Sequence, residues 1–161
     1  MNISIIKAVK ILTEKKETIS AMESCTGGAF ANAITNVPGA SNVFEFGAVT
    51  YSNSAKIKLG VPKSVIDTHS VYSIETARQM SHAISKYTGS TYGVGITGKL
   101  GTVDPNNNGG NNNVVFVAIF NTKTDEFADF IVKINPNKTR EYNKTQIINK
   151  TTEKLLNIIS K

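Results

Sequence analysis

Glu23-Ser24-Cys25-Thr26-Gly27-Gly28 is the segment of this chain richest in groups that can do chemistry. It follows a short apolar run (Ile19, Ala21, Met22) and precedes small residues at helical spacing (Ala29, Phe30, Ala31, Ala33, Ile34), which sets it at a strand-to-helix turn. At such a turn, hydroxyls and glycine N–H groups gather where the first helical amides lack internal partners. The same few residues can present a nucleophile and stabilise an anion. Ser24 is one candidate nucleophile, although a serine before a helix commonly serves as an N-cap. Cys25 is another, because a thiolate attacks more readily, but no histidine lies in an evident partnering position.

A serine also needs a base. Tyr51-Ser52-Asn53-Ser54-Ala55-Lys56 supplies a lysine just past a β-branched and aromatic stretch, with Lys58 its nearest competitor. A lysine serves as a base only where desolvation or a neighbouring cation lowers its pKa. A position at the end of a buried strand offers the first of these. Glu23 fits either a lysine-orienting or a turn-capping role.

The elements that must position these groups follow from periodicity. Residues 2–16 fit an amphipathic helix, with Ile3, Ile6, Ala8 or Val9, and Leu12 at three- and four-residue steps. A strand at about 18–22 leads into the turn and a helix at about 26–36, stopped by Val37-Pro38-Gly39. Val43 to Tyr51 reads as a strand. Ser52 or Asn53 caps a short helix that carries Lys56 and Lys58 and ends at Gly60. Pro62 starts another short helix, to about His69. Ser73 caps the clearest one, with Ile74, Ala77, Met80 or Ser81, Ile84 and Tyr87 on one face and Gly89 as its stop. Tyr92–Thr97, Val114–Asn121 and Phe127–Ile134 read as strands, the last two as a hairpin. A final helix runs from about Thr139 to Ile159. Helices alternate with strands early and a hairpin comes late. The expected fold is therefore α/β, a single three-layer α/β/α domain over residues 1–161 with a mixed sheet. The stretch 105–113, low in complexity and without an apolar anchor, is expected to be a mobile loop.

The 161 residues suffice for one core, and no apolar run approaches the ~20 residues that span a bilayer. Without a signal-peptide pattern at the N-terminus, the expected location is cytoplasmic, with no membrane partner. The single cysteine excludes an internal disulfide, and His69 and His82 would need a further ligand to make a metal site. A net charge of +6 favours anionic ligands. No helix-turn-helix, aromatic stacking platform or basic stripe accompanies it, so nucleic acid is not the expected partner.

The turn and the Tyr-Ser-Asn-x-x-Lys element together resemble the CinA C-terminal domain family, whose characterised members are nicotinamide mononucleotide amidohydrolases. The resemblance extends over Val37-Pro38-Gly39-Ala40-Ser41, Leu59-Gly60-Val61, His69 through Ser73, and Ile96-Thr97-Gly98. It implies acyl transfer by a serine–lysine dyad, with Ser24 the nucleophile, Lys56 the general base and Tyr51 a proton-handling or orienting group. It further implies an oxyanion site at Thr26, Gly27 and Gly28, substrate contacts from Thr97 and Gly98, and Arg140 at the substrate phosphate, because a guanidinium fork suits that group. The reaction is hydrolysis of the nicotinamide carboxamide to a carboxylate and ammonia. It requires no metal or other cofactor, and the resemblance implies a homodimer. One region departs from the family. Where members typically run Thr-Gly-Ile-Ala-Gly-Pro-Gly-Gly, this chain has Thr97-Gly98-Lys99-Leu100-Gly101-Thr102-Val103-Asp104-Pro105. In the family this loop lies over the substrate, so the departure bears on substrate preference, and Lys99 adds a cation there. A silent or differently specific relative with a competence- or DNA-related accessory role is the competing reading.

Overall fold

A computed structural model describes residues 3–101 and 104–161. Asn2 of the expected first helix, and Thr102 and Val103 of the divergent loop, lie outside the described residues. In chain order the elements are α1 (Ile3–Lys15), β1 (Ile19–Glu23), α2 (Ala29–Thr35), β2 (Phe44–Val49), α3 (Asn53–Lys58), α4 (Lys63–His69), α5 (Ile74–Thr88), β3 (Tyr92–Gly98), β4 (Val114–Asn121), β5 (Glu126–Lys133) and α6 (Arg140–Ile159), with a single 3-10 turn, Ala40–Asn42, before β2.

The strands form one mixed sheet of order β2-β1-β3-β4-β5. β1 runs parallel to both β2 and β3, while β4 is antiparallel to β3 and to β5. The β4–β5 hairpin is the one expected from the sequence. β1 as far as Met22, and β3, read as unbroken apolar and small residues because they are buried on both faces. The edge strand β2 instead alternates between half-buried and exposed positions.

Two hydrophobic clusters mark the two sheet faces. One gathers Ile5, Leu12, Phe30, Ile34, Ile147 and Leu155 of α1, α2 and α6 against Ile19, Ala21, Val94 and Val117. The other packs Ile66, Met80 and Ile84 of α4 and α5 around Met22. The result is the expected three-layer α/β/α arrangement with a mixed sheet. α5 lies unusually close to β3: a Cβ on Gly93 would stand 1.9 Å from the Ser81 carbonyl, and one on Gly95 would stand 2.2 Å from that of Ala77. Only glycine permits this approach.

Caps fall where the sequence places them. The Ser52 and Ser73 side chains accept from Ala55 N–H and Thr76 N–H, and Gly89 ends α5 in the left-handed region. The face of α1 differs from expectation. Ile5, Ala8, Val9 and Leu12 point inward, whereas Ile3 and Ile6 are exposed. Both stripes satisfy helical spacing, and packing of α1 on α2 and α6 selects the first. Tyr87, expected on the inner stripe of α5, is exposed and leans on Phe46, with ring centroids 5.4 Å apart.

Candidate active site

Chain reversal around β1 creates the site. The connection from β1 leads to β2 on one side, and the chain returns through α3–α5 to β3 on the other, so a crevice opens beyond the carboxyl ends of the three parallel strands. Ser24 directly follows β1, Thr50 follows β2, and Thr97 and Gly98 end β3. Hydrogen bonds lock these ends together: Ser24 N–H donates to the Ile96 carbonyl at 3.0 Å, and Thr50 N–H to that of Glu23 at 2.8 Å. The crevice is a cavity of about 800 Å³ walled by Ser24, Cys25, Tyr51, Lys56, Thr97, Gly98 and Arg140, and by the segment Asp104–Asn107.

Lys56 enters this crevice from α3. Although a lysine, it is only 2% exposed. Its Nζ donates to Ser24 Oγ at 3.2 Å and to the Thr50 carbonyl at 2.8 Å. Among the described residues no carboxylate lies within ion-pair distance of it. Burial disfavours its charged form and lowers its pKa to about 8. Lys58 is exposed, so burial distinguishes the two lysines that the sequence left side by side.

Cys25 lies in the same wall, but burial pushes its thiol up to about 12. A thiol in that state is protonated at neutral pH and a poor nucleophile. Tyr51 lines the cavity from its rim, 68% exposed, and makes no hydrogen bond to Ser24 or Lys56. Arg140, the first residue of α6, also lines the cavity and donates from Nη1 to the Leu100 carbonyl at 3.0 Å. Thr97 and Gly98 reach the cavity wall, although the Thr97 hydroxyl is committed to the Val71 carbonyl at 2.8 Å.

Thr26, Gly27 and Gly28 are not brought into the cavity wall. Gly27 N–H turns back to the Ser24 carbonyl at 3.0 Å, and the positive φ angles of Gly27 and Gly28 (63° and 91°) steer the chain into α2. Nor are the first amides of that helix open to an anion. The buried Glu23 carboxylate accepts from Phe30 N–H at 3.1 Å and Ala31 N–H at 2.9 Å, so Glu23 caps the helix and does not orient Lys56. Of the turn, Ser24 and Cys25 alone line the cavity.

The divergent loop contributes residues the sequence did not flag. Tyr72 O–H donates to the Asp104 carboxylate, which also accepts from Asn107 Nδ2 at 2.7 Å and Asn106 N–H at 2.9 Å. Those bonds, Asn107 foremost, hold the Asp104 carboxyl below its ordinary range. Lys99 lines the cavity and is not a solvated surface lysine. It is buried, donates to the Gly109 carbonyl, and stands 4.8 Å from the centre of the Tyr72 ring. No group of three or more His, Cys, Asp or Glu suited to a metal occurs among the described residues. No helix among them is long and apolar enough to cross a membrane.

The class so defined is a three-layer α/β domain carrying a serine–lysine pair at the carboxyl ends of its parallel strands. The CinA C-terminal domain model matches residues 4–159, and the chain belongs to that family. A CinA-like protein of Desulforapulum autotrophicum is 46% identical over 93 residues, covering 57% of this chain and 22% of its own length. A putative competence-damage inducible protein of Clostridium perfringens is 48% identical over 93 residues, covering 57% and 23% respectively. The chain thus spans less than a quarter of the length of these curated relatives. Among solved structures, a competence-damaged protein (CinA) superfamily protein of Klebsiella pneumoniae superposes with a TM-score of 0.87 at 20% identity, covering 98% of this chain and 96% of that one. The competence/damage inducible protein CihA of Agrobacterium tumefaciens gives 0.83 at 23% identity, covering 98% and 96%. At these identities the two structures establish the shared fold.

Proposed function

We propose that this chain hydrolyses the carboxamide of nicotinamide mononucleotide to nicotinate mononucleotide and ammonia, with Ser24 as nucleophile and Lys56 as general base. The observation that carries the reading is the Lys56 amine, buried without a carboxylate partner and 3.2 Å from the Ser24 hydroxyl. Such burial costs stability, against which stand only the hydrogen bonds to Ser24 and the Thr50 carbonyl. It does supply a lysine able to lose its proton near neutral pH.

In the proposed reaction, neutral Lys56 takes the Ser24 proton as Oγ attacks the amide carbon. The oxyanion of the tetrahedral intermediate is held by Cys25 N–H, since of the turn only Ser24 and Cys25 line the cavity and Ser24 N–H is already bonded to the Ile96 carbonyl. Collapse breaks the C–N bond, and the Lys56 ammonium returns its proton to the departing nitrogen, releasing ammonia. Water then attacks the Ser24 ester with Lys56 again as base, freeing the carboxylate and restoring the serine. Arg140 binds the substrate phosphate with the guanidinium N–H groups not used on Leu100, and Tyr51 covers the pyridine ring from the rim.

The relatives' names suggest a second reading, an accessory role in competence without catalysis. A buried, unpaired lysine against a serine favours the amidase. The test is to incubate purified protein with nicotinamide mononucleotide and follow nicotinate mononucleotide by chromatography. Its appearance supports the reading, and unchanged substrate refutes it. A cytoplasmic location and a homodimer belong to the same proposal.

A further inference from the structure

The segment after Gly101 reads in sequence as an unanchored polar loop, yet it is fastened to the body at four points. Asp104 accepts from Tyr72 O–H, and Asn107 accepts at Oδ1 from Asn53 Nδ2 at 2.8 Å. Lys99 donates to the Gly109 carbonyl. Gly110 presses on the Tyr72 ring so closely that a Cβ there would stand 2.8 Å from it. Asn107 also donates to Asp104, so one asparagine joins two of the three hydrogen-bonded anchors. Asn53 is the first residue of α3, the helix that carries Lys56, and Asp104, Asn106 and Asn107 all line the cavity that contains Ser24.

We propose that Tyr72, Asp104 and Asn107 form a clasp that walls the substrate cavity and makes these three residues determinants of specificity, admitting a mononucleotide amide and rejecting the dinucleotide. The proposal rests on the amidase reading for the identity of the substrate. A cavity of about 800 Å³ is large enough for either nucleotide, so discrimination falls to its wall rather than to its volume. The adenylate half of a dinucleotide would have to pass the clasped segment. Its additional phosphate would also meet the Asp104 carboxylate, a like-charge contact that disfavours the larger ligand. The clasp is made of polar bonds between residues far apart in sequence (32 positions for Tyr72 and Asp104, 54 for Asn53 and Asn107). A single polar truncation should therefore release it without touching the core.

Two variants test this, Asn107→Ala and Tyr72→Phe. Hydrogen exchange read by mass spectrometry follows the amides of Asn106–Gly110, and kcat/KM is measured for nicotinamide mononucleotide and for the oxidised nicotinamide dinucleotide. The expected result is exchange at least tenfold faster in that segment with α5 unchanged, and a mononucleotide-to-dinucleotide preference at least tenfold smaller than in the wild type. Wild-type exchange in both variants overturns the clasp, and an unchanged preference in a released loop overturns its role in specificity. Faster exchange in a protein that turns over neither nucleotide refutes the amidase reading together with the specificity role, while the clasp itself stands.

Discussion

The Lys56 amine lies 3.2 Å from the Ser24 hydroxyl oxygen and 2.8 Å from the Thr50 carbonyl, with no carboxylate among the described residues within ion-pair distance of it. The Thr50 carbonyl fixes the nitrogen while leaving its lone pair, once neutral, free to turn toward the serine. Expected behaviour follows directly. Ser24→Ala removes amidase activity by at least about 1,000-fold while thermal melting stays close to wild type. Cys25→Ala retains most activity, because its thiol is held protonated by burial. Activity lost in Cys25→Ala and kept in Ser24→Ala would reverse the assignment.

The pH profile tests the base. With its pKa lowered from 10.5 to about 8, Lys56 gains its neutral form as pH rises through about 8, so kcat/KM should climb across that value and then level off. Lys56→Arg keeps a cation that cannot lose its proton, and should be as inactive as Lys56→Met. A fully active Lys56→Arg enzyme would mean that the position needs only a positive charge.

The same burial has a stability consequence. Between pH 8 and 10.5 the unfolded chain still carries the Lys56 proton while the folded chain has shed it, so folding stability rises with pH across that window. Below the window the buried charge costs about 3 kcal/mol relative to an unperturbed lysine. Lys56→Met should therefore melt higher than wild type at pH 7, by thermal denaturation, while losing activity. A lower melting point would show that the bonds to Ser24 and Thr50 outweigh the desolvation.

Much of this site was legible in the sequence, for identifiable reasons. Ser24 and Lys56 sit in two short motifs whose pairing carries information, and the strands and caps around them obey simple periodicity. Tyr51 belongs to the same motif, but its side chain lies at an exposed rim, a matter of orientation that spacing cannot give. Thr26, Gly27 and Gly28 looked like an anion cradle because glycines at a helix start often are. Glu23, seven residues before Phe30 and eight before Ala31, claims that helix end instead, through bonds visible only once the chain has folded back. The clasp was hidden for a related cause. Tyr72 reaches Asp104 and Asn53 reaches Asn107 by hydrogen bonds across long sequence separations, and an asparagine-rich loop has no apolar pattern to advertise them.

Glu23 offers a stability test independent of catalysis. Glu23→Gln places a donor opposite the Phe30 or Ala31 N–H and should cost about 1–2 kcal/mol, lowering the melting temperature by about 2–8 °C. An unchanged melting temperature would show that the cap contributes little.

Arg140→Ala removes the guanidinium proposed to hold the phosphate. It should raise KM for nicotinamide mononucleotide about 10- to 100-fold, the scale of a lost charge-assisted hydrogen bond, and leave the dephosphorylated riboside unaffected. An equal effect on both substrates would place Arg140 elsewhere than at the phosphate.

Ammonia release from nicotinamide mononucleotide above pH 8, where Lys56 is largely neutral, measured side by side for the wild-type chain and Ser24→Ala, tests the central claim most directly. The predicted result is one ammonia per nicotinate mononucleotide from the wild type and background from the variant. Equal release from both proteins, or none from the wild type, would contradict it.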